Sequence, residues 1–140
     1  MRYVTLTFAT AALLCISAIA QDSQPVSQAQ AQTASSAWLA LVDAGKYSDS
    51  WVKAAGLFKS AVNEPSWTAA VQRARAPLGA LKSRRIQSST FAHTLPGAPD
   101  GDYVVIKYAS QFENKANAEE TVTPLREKDG SWHVSGYFIK

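Results

Sequence analysis

Two histidines, one adjacent carboxylate pair and a small group of arginines are the places where this sequence could do chemistry. The carboxylate pair is Glu119-Glu120, and neighbours in a strand point to opposite faces, so the two are not poised as an acid/base couple. Two arrangements are open. Glu119 faces solvent while Glu120 meets a basic residue across the sheet, or Glu120 turns inward to meet Arg84 or Tyr137 beneath the helices and lines a pocket with them. Arg73, Arg75 and Arg84 bracket Pro77-Leu78-Gly79, where helix gives way to strand. They either cap the exposed carbonyls of a helix end or bind an anionic group at a pocket mouth. The candidate ligand-binding set is therefore Arg75, Arg84, Glu120 and Tyr137.

His93 and His133 stand far apart in the chain, each within an expected strand. A zinc site needs three or four ligands at recognisable spacing, so no metal is expected. No serine sits in a Gly-x-Ser-x-Gly elbow, and no phosphate loop, dinucleotide fingerprint or calcium loop occurs, so no cofactor is expected. Catalysis would have to pair His93 or His133 with a carboxylate brought near by the fold. No residue is assigned as catalytic, and the leading expectation is a non-enzymatic module that binds a small ligand or an envelope protein.

The N-terminus supplies the address. Arg2 precedes an uncharged stretch from Val4 to Ala20, and Ala18-Ile19-Ala20 gives the small-x-small pattern of a cleavage site. Residues 1–20 read as a signal peptide cut before Gln21, which implies export to the periplasm or the extracellular space. A retained membrane anchor and a lipid attached at Cys15 are the alternatives. The anchor is disfavoured by the stretch's length at the low edge for a spanning helix, and the lipid by the bulky Leu14 before the cysteine. Cys15 is the single cysteine of the sequence. After cleavage at Ala20 the chain has no disulfide, no thiolate chemistry and no membrane span. Lys and Arg number 14 against 11 Asp and Glu, a net charge of +3. That surplus, with Lys82-Ser83-Arg84-Arg85 its local concentration, is too small for a nucleic-acid surface.

These groups must be positioned by one domain of residues 34–140, preceded by a flexible Gln/Ser/Ala linker over residues 21–33, which lacks large apolar side chains. Trp38, Leu41 and Val42 share a helical face, and Gly45 suits the position past its end. Asp49 or Ser50 can cap a second helix carrying Trp51, Ala54, Ala55, Phe58 and Val62. Pro65 ends it, and Ser66 caps a third with Trp67, Ala70, Val71 and Ala74. The period then changes. Strands are expected over residues 82–95, 103–112, 119–128 and from Trp132 onward, with Pro124 marking an edge or bulge and Asp129-Gly130 a hairpin. In the second strand Val104, Ile106, Tyr108 and Phe112 face one way. Tyr103, Val105 and Tyr137, if they lie on the outer face, would make an exposed apolar patch that favours partner binding, whereas a polar outer face with a deep cleft holding a histidine would favour an enzyme. The fold class is α+β, three N-terminal helices packed on one face of a four-stranded antiparallel meander sheet, with Trp38, Trp51, Trp67 and Trp132 mainly in the core.

Several ordered motifs carry a resemblance. Arg75-Ala-Pro-Leu-Gly79, Leu81-Lys-Ser-Arg84, Leu95-Pro96-Gly97 and Asp100-Gly101-Asp102-Tyr103-Val104-Val105 are among them. Phe112-Glu113-Asn114-Lys115, Glu120-Thr121-Val122 and Asp129-Gly130-Ser131-Trp132-His133-Val134-Ser135-Gly136-Tyr137 complete the set. From about Ser36 to Lys140 the chain resembles small exported bacterial proteins of the domain of unknown function 4019 family. The resemblance implies export and a fold, and brings no activity with it. More loosely, the layout is similar to nuclear transport factor 2-like and cystatin-like domains, in which a curved sheet wraps helices and a pocket opens between the layers. Such folds host unrelated functions.

Overall fold

Small side chains decide where the fold begins. The computed structural model describes residues 24–140, and the signal-peptide and cleavage expectations over residues 1–20 lie outside them. Helix α1 (Gln24–Asp43) is 20 residues long and buries Ser27, Ala31, Ser35, Trp38, Leu39 and Val42. Those positions recur at three- and four-residue steps, one face of a helix. The expectation of a flexible linker is therefore corrected for residues 24–33. Serine and alanine bury on this face as fully as larger groups would, because they let the helix approach its neighbours closely. At its other end α1 stops at a Schellman turn: Lys46 N–H bonds Leu41 O at 2.9 Å and Gly45 N–H bonds Val42 O at 3.0 Å. That turn needs a positive φ, and Gly45 adopts +71°.

The second expected helix is two. Helix α2 (Tyr47–Val52) and helix α3 (Gly56–Ala61) are separated by a turn at residues 53–55. Periodicity alone runs straight through that turn, but tertiary hydrogen bonds interrupt it. Ala55 N–H donates to Val134 O at 2.8 Å and Gly56 N–H donates to Glu127 Oε1 at 2.9 Å. Ser50 caps nothing; it is buried inside α2, accepting from Trp67 Nε1 on its hydroxyl and from Trp38 Nε1 on its carbonyl. Helix α4 (Glu64–Arg75) starts at Asn63, whose side chain accepts from Ser66 N–H, with Pro65 inside the first turn. Proline there opens the helix, since its missing N–H has no intrahelical partner to lose. A 3-10 turn over Ala76–Leu78 follows, so the α-helices number four.

The strands are β1 (Leu81–Ala92), β2 (Tyr103–Phe112), β3 (Lys115–Arg126) and β4 (Trp132–Ile139), in the order β1-β2-β3-β4 and antiparallel throughout. The chain is α+β with a four-stranded antiparallel sheet. Val104, Ile106, Tyr108, Val122 and Val134 join Trp38, Leu39, Val42, Phe58, Trp67 and Val71 in one buried cluster, and burial of that apolar surface is the main favourable contribution to folding.

A bulge sets the phase of β4. Thr123 pairs with Gly136 but Pro124 pairs with Val134, which leaves Ser135 over. The extra residue puts Tyr137 on the same side as Val134, against the Trp38 ring with centroids 5.4 Å apart. Phe138 turns out instead and is 61% exposed. An outer patch of Tyr103, Val105 and Tyr137 is therefore not formed. Tyr137 faces the core, and Tyr103 is buried with its hydroxyl donating to Pro99 O at 2.7 Å.

Candidate functional site

An acidic residue at a helix C-terminus faces the negative end of the helix dipole, so it needs a cation from elsewhere. Asp43 ends α1, whose last turn holds no basic residue. Arg75 from the end of α4 donates to Asp43 Oδ1 at 2.7 Å, and Arg84 from β1 donates to Oδ2 at 2.7 Å and Oδ1 at 3.0 Å. Arg84 also grips Glu120 from β3, Nε to Oε1 at 2.8 Å and Nη2 to Oε2 at 3.1 Å. Ser110 donates to Glu120 Oε1 and Tyr137 to Oε2, each at 2.6 Å. Glu120 is fully buried. The structure thus gathers all four candidates, Arg75, Arg84, Glu120 and Tyr137, beneath the helices. Neither arginine caps a carbonyl.

The electrostatics of this cluster close on themselves. Two guanidinium groups meet two carboxylates, and every carboxylate oxygen accepts from at least one donor. Burial opposes ionisation of Asp43, but the hydrogen bonds from Arg84 and Arg75 outweigh it and hold its carboxyl below the usual range. Burial likewise opposes the charge on Arg84, and its bonds to Asp43 and Glu120 more than restore it. Burial, then the charge of Glu120 and the bond to it, push the Tyr137 phenol far above its ordinary value, so it stays a donor. What is left over is donor capacity on one arginine. Arg75 lies with its guanidinium 4.8 Å from the Phe112 ring centroid, and its Nε and Nη1 are buried without a hydrogen-bond partner.

A second feature is apolar. Ala34, Ala37 and Leu41 lie along one line of α1 at helical spacing, and the two alanines leave space beside Trp38. Trp132 and Val134 of β4 form the facing wall of a groove of about 350 Å³, with Lys53 and His133 beside them. Its far wall is the turn between α2 and α3, stitched to β4 by the Ala55–Val134 bond and by His133 Nδ1 to Lys53 O at 3.0 Å. A carbonyl only accepts, so Nδ1 carries a proton. Among the described residues the Trp132 indole N–H is buried without an acceptor, whereas the indoles of Trp38, Trp51 and Trp67 each have one. A larger concavity, about 540 Å³, lies around Arg85, Ala109, Gln111, Asn117 and Glu119. Its lining also takes in Arg84 and Ser110 of the charged cluster, and it is polar and open, so water competes there for every contact.

The histidines sit apart from the charged cluster. His93 is 71% exposed on its side chain and pairs with Asp102 at 2.9 Å. His133 Nε2 lies 2.9 Å from Ser131 Oγ, which in turn lies 2.6 Å from Asp129 Oδ1. Among the described residues no three His, Cys, Asp or Glu side chains cluster as metal ligands, and no helix is long and apolar enough to cross a membrane.

Asp43 and Ser110 escaped the sequence reading. Asp43 carried a signal, an acid at a helix end with no local cation, while Ser110 carried none. The groove was equally hidden, because its far wall exists only where the expected second helix breaks. The model of a family described as protein of unknown function, DUF4019, matches residues 34–137. No curated protein matches the chain.

Proposed function

For a chain that belongs to the DUF4019 family, we propose the role of an exported, non-enzymatic binding module that takes a small ligand into the groove between α1 and β4. Export is supported by Arg2, the uncharged stretch to Ala20 and the Ala18-Ile19-Ala20 pattern. The observation that carries the binding reading is the groove itself: Trp38, Leu41, Trp132 and Val134 around about 350 Å³, a volume within the range of small-molecule sites. In this reading the charged cluster holds α1 and α4 against the sheet, because its carboxylates are already satisfied.

Trp38 and Trp132 make the test direct, since their emission reports what enters. Titration with 1-octanol should give a saturable change in tryptophan fluorescence. At a net gain of roughly 0.5 kcal/mol for each non-hydrogen atom, within the range of small ligands, the Kd falls on the order of 1 mM. Ala37→Phe, which fills the groove, should abolish the change. A linear response to octanol, unaltered in Ala37→Phe, contradicts the proposal.

Two other readings each rest on one observation. The unpartnered Nε and Nη1 of Arg75 favour a small anion held at the charged cluster by Arg75, Arg84, Glu120 and Tyr137. The contact between Ser131 Oγ and His133 Nε2 favours a hydrolytic site, the form that the alternative of an enzyme using His93 or His133 takes here. Against it, Ser131 Oγ donates to Asp129 Oδ1 at 2.6 Å, a shorter contact than its 2.9 Å to the imidazole. Hydrolysis of p-nitrophenyl acetate above background, lost in both Ser131→Ala and His133→Ala, would replace the binding reading with the enzymatic one.

A further inference from the structure

Charge at the groove is one-sided. Its lining includes Lys53 and His133 and no carboxylate. Among the described residues no salt bridge or hydrogen bond engages the Lys53 ammonium, although Lys140 is paired with Glu119. Every other wall of the groove is tryptophan or aliphatic. An unpaired cation beside an apolar groove attracts a molecule that brings its own negative charge together with hydrocarbon.

A second donor stands in the same wall. Trp132 is 8% exposed, and its indole N–H finds no acceptor among the described residues. A buried donor left without a partner costs about 1–3 kcal/mol, and native structures rarely keep one without a reason. His133 stands on the same side, with its Nδ1 proton committed to Lys53 O.

We propose that the ligand of this groove is an amphipathic anion, an unbranched apolar chain ending in a single carboxylate, with the chain between α1 and β4 and the headgroup at Lys53. The inference rests on the binding role proposed above and names its ligand class.

Three eight-carbon probes separate the two claims: octanoate, 1-octanol and octylammonium, each titrated by tryptophan fluorescence into the purified protein and into Lys53→Met and Lys53→Arg. Lys53 is exposed, so neither substitution disturbs the core. Octanoate should bind the wild type and weaken about five- to tenfold in Lys53→Met, as expected for loss of a charge-assisted contact. Lys53→Arg should restore it. The octanoate loss in Lys53→Met should exceed any change in octanol binding by at least about fivefold, and octylammonium should bind at least about tenfold more weakly than octanoate. If octanol binds but Lys53→Met affects octanoate no more than octanol, or octylammonium matches octanoate, the anionic ligand is refuted while the groove stands. If none of the three binds, the groove reading itself has failed.

Discussion

Arg84→Met removes the side chain that joins the two carboxylates of the buried cluster. In the wild type Arg84 reaches Glu120 at 2.8 Å and Asp43 at 2.7 Å. Without it Glu120, fully buried, keeps only the hydroxyls of Ser110 and Tyr137 and a distant Arg75 at 3.9 Å. Breaking a buried pair from one side costs about 3–5 kcal/mol, because the remaining charge is stranded. Domains of this size are stable by about 5–15 kcal/mol, so the variant should fold but sit close to the edge. With an m-value of about 1–3 kcal/mol/M, the urea midpoint should fall by roughly 2 M. The diagnostic step is the second substitution. Glu120→Gln removes the stranded charge yet leaves a carbonyl to accept from Ser110 or Tyr137. In the Arg84→Met background it should recover about 2 kcal/mol, although alone it destabilises. A loss below about 1 kcal/mol for Arg84→Met, or no recovery in the double variant, would refute the view that this cluster is a closed, stability-bearing network. Octanol affinity of whatever fraction is folded should not change.

The remaining expectations are simpler. Asp43 has its carboxyl held below the usual value in the fold, so the unfolded chain binds more protons as pH drops. Its stabilisation is complete above about pH 4 and is lost as pH falls through the folded value; urea midpoints between pH 6 and 2.5 should decline less steeply in Asp43→Asn. At Gly79, φ is +73° and an added Cβ would lie 2.6 Å from Glu113 Oε2 and 2.9 Å from Glu113 Cβ. Gly79→Ala should therefore lower stability by about 1–3 kcal/mol in the same assay. Ser50→Ala strands the buried indole N–H of Trp67, now bonded to Ser50 Oγ at 2.9 Å, and should cost about 1–3 kcal/mol, with a shift in that indole's proton resonance.

Much of the architecture was legible because hydrophobic period is a local property. Strand β2 alternates as its residues suggest, and the turn past α1 falls at Gly45, where a positive φ was needed. The inward turn of Glu120 toward Arg84 and Tyr137 was one of two arrangements open to the sequence. Three features were not legible, each for a tertiary reason. The break between α2 and α3 is made by Val134 and Glu127, about seventy to eighty residues downstream. The phase of β4 depends on Ser135 falling out of register, which no alternation pattern announces. Residues 24–33 looked unable to form a core because bulk was the criterion, yet Ser27 and Ala31 pack for want of it. The groove follows from the first of these, so its lining could not be assembled from sequence spacing.

The most direct test of the account follows the four indole N–H signals and the backbone amides by NMR while 1-octanol is added. The expected result is a saturable shift of the Trp132 indole, with amide shifts at Ala34, Ala37, Leu41 and Val134 and little change at Ser110 or Glu120. Shifts centred on Arg75, Arg84 and Glu120, or spread over Arg85, Gln111 and Asn117 at the larger concavity, would contradict the claim that the groove between α1 and β4 is the binding site.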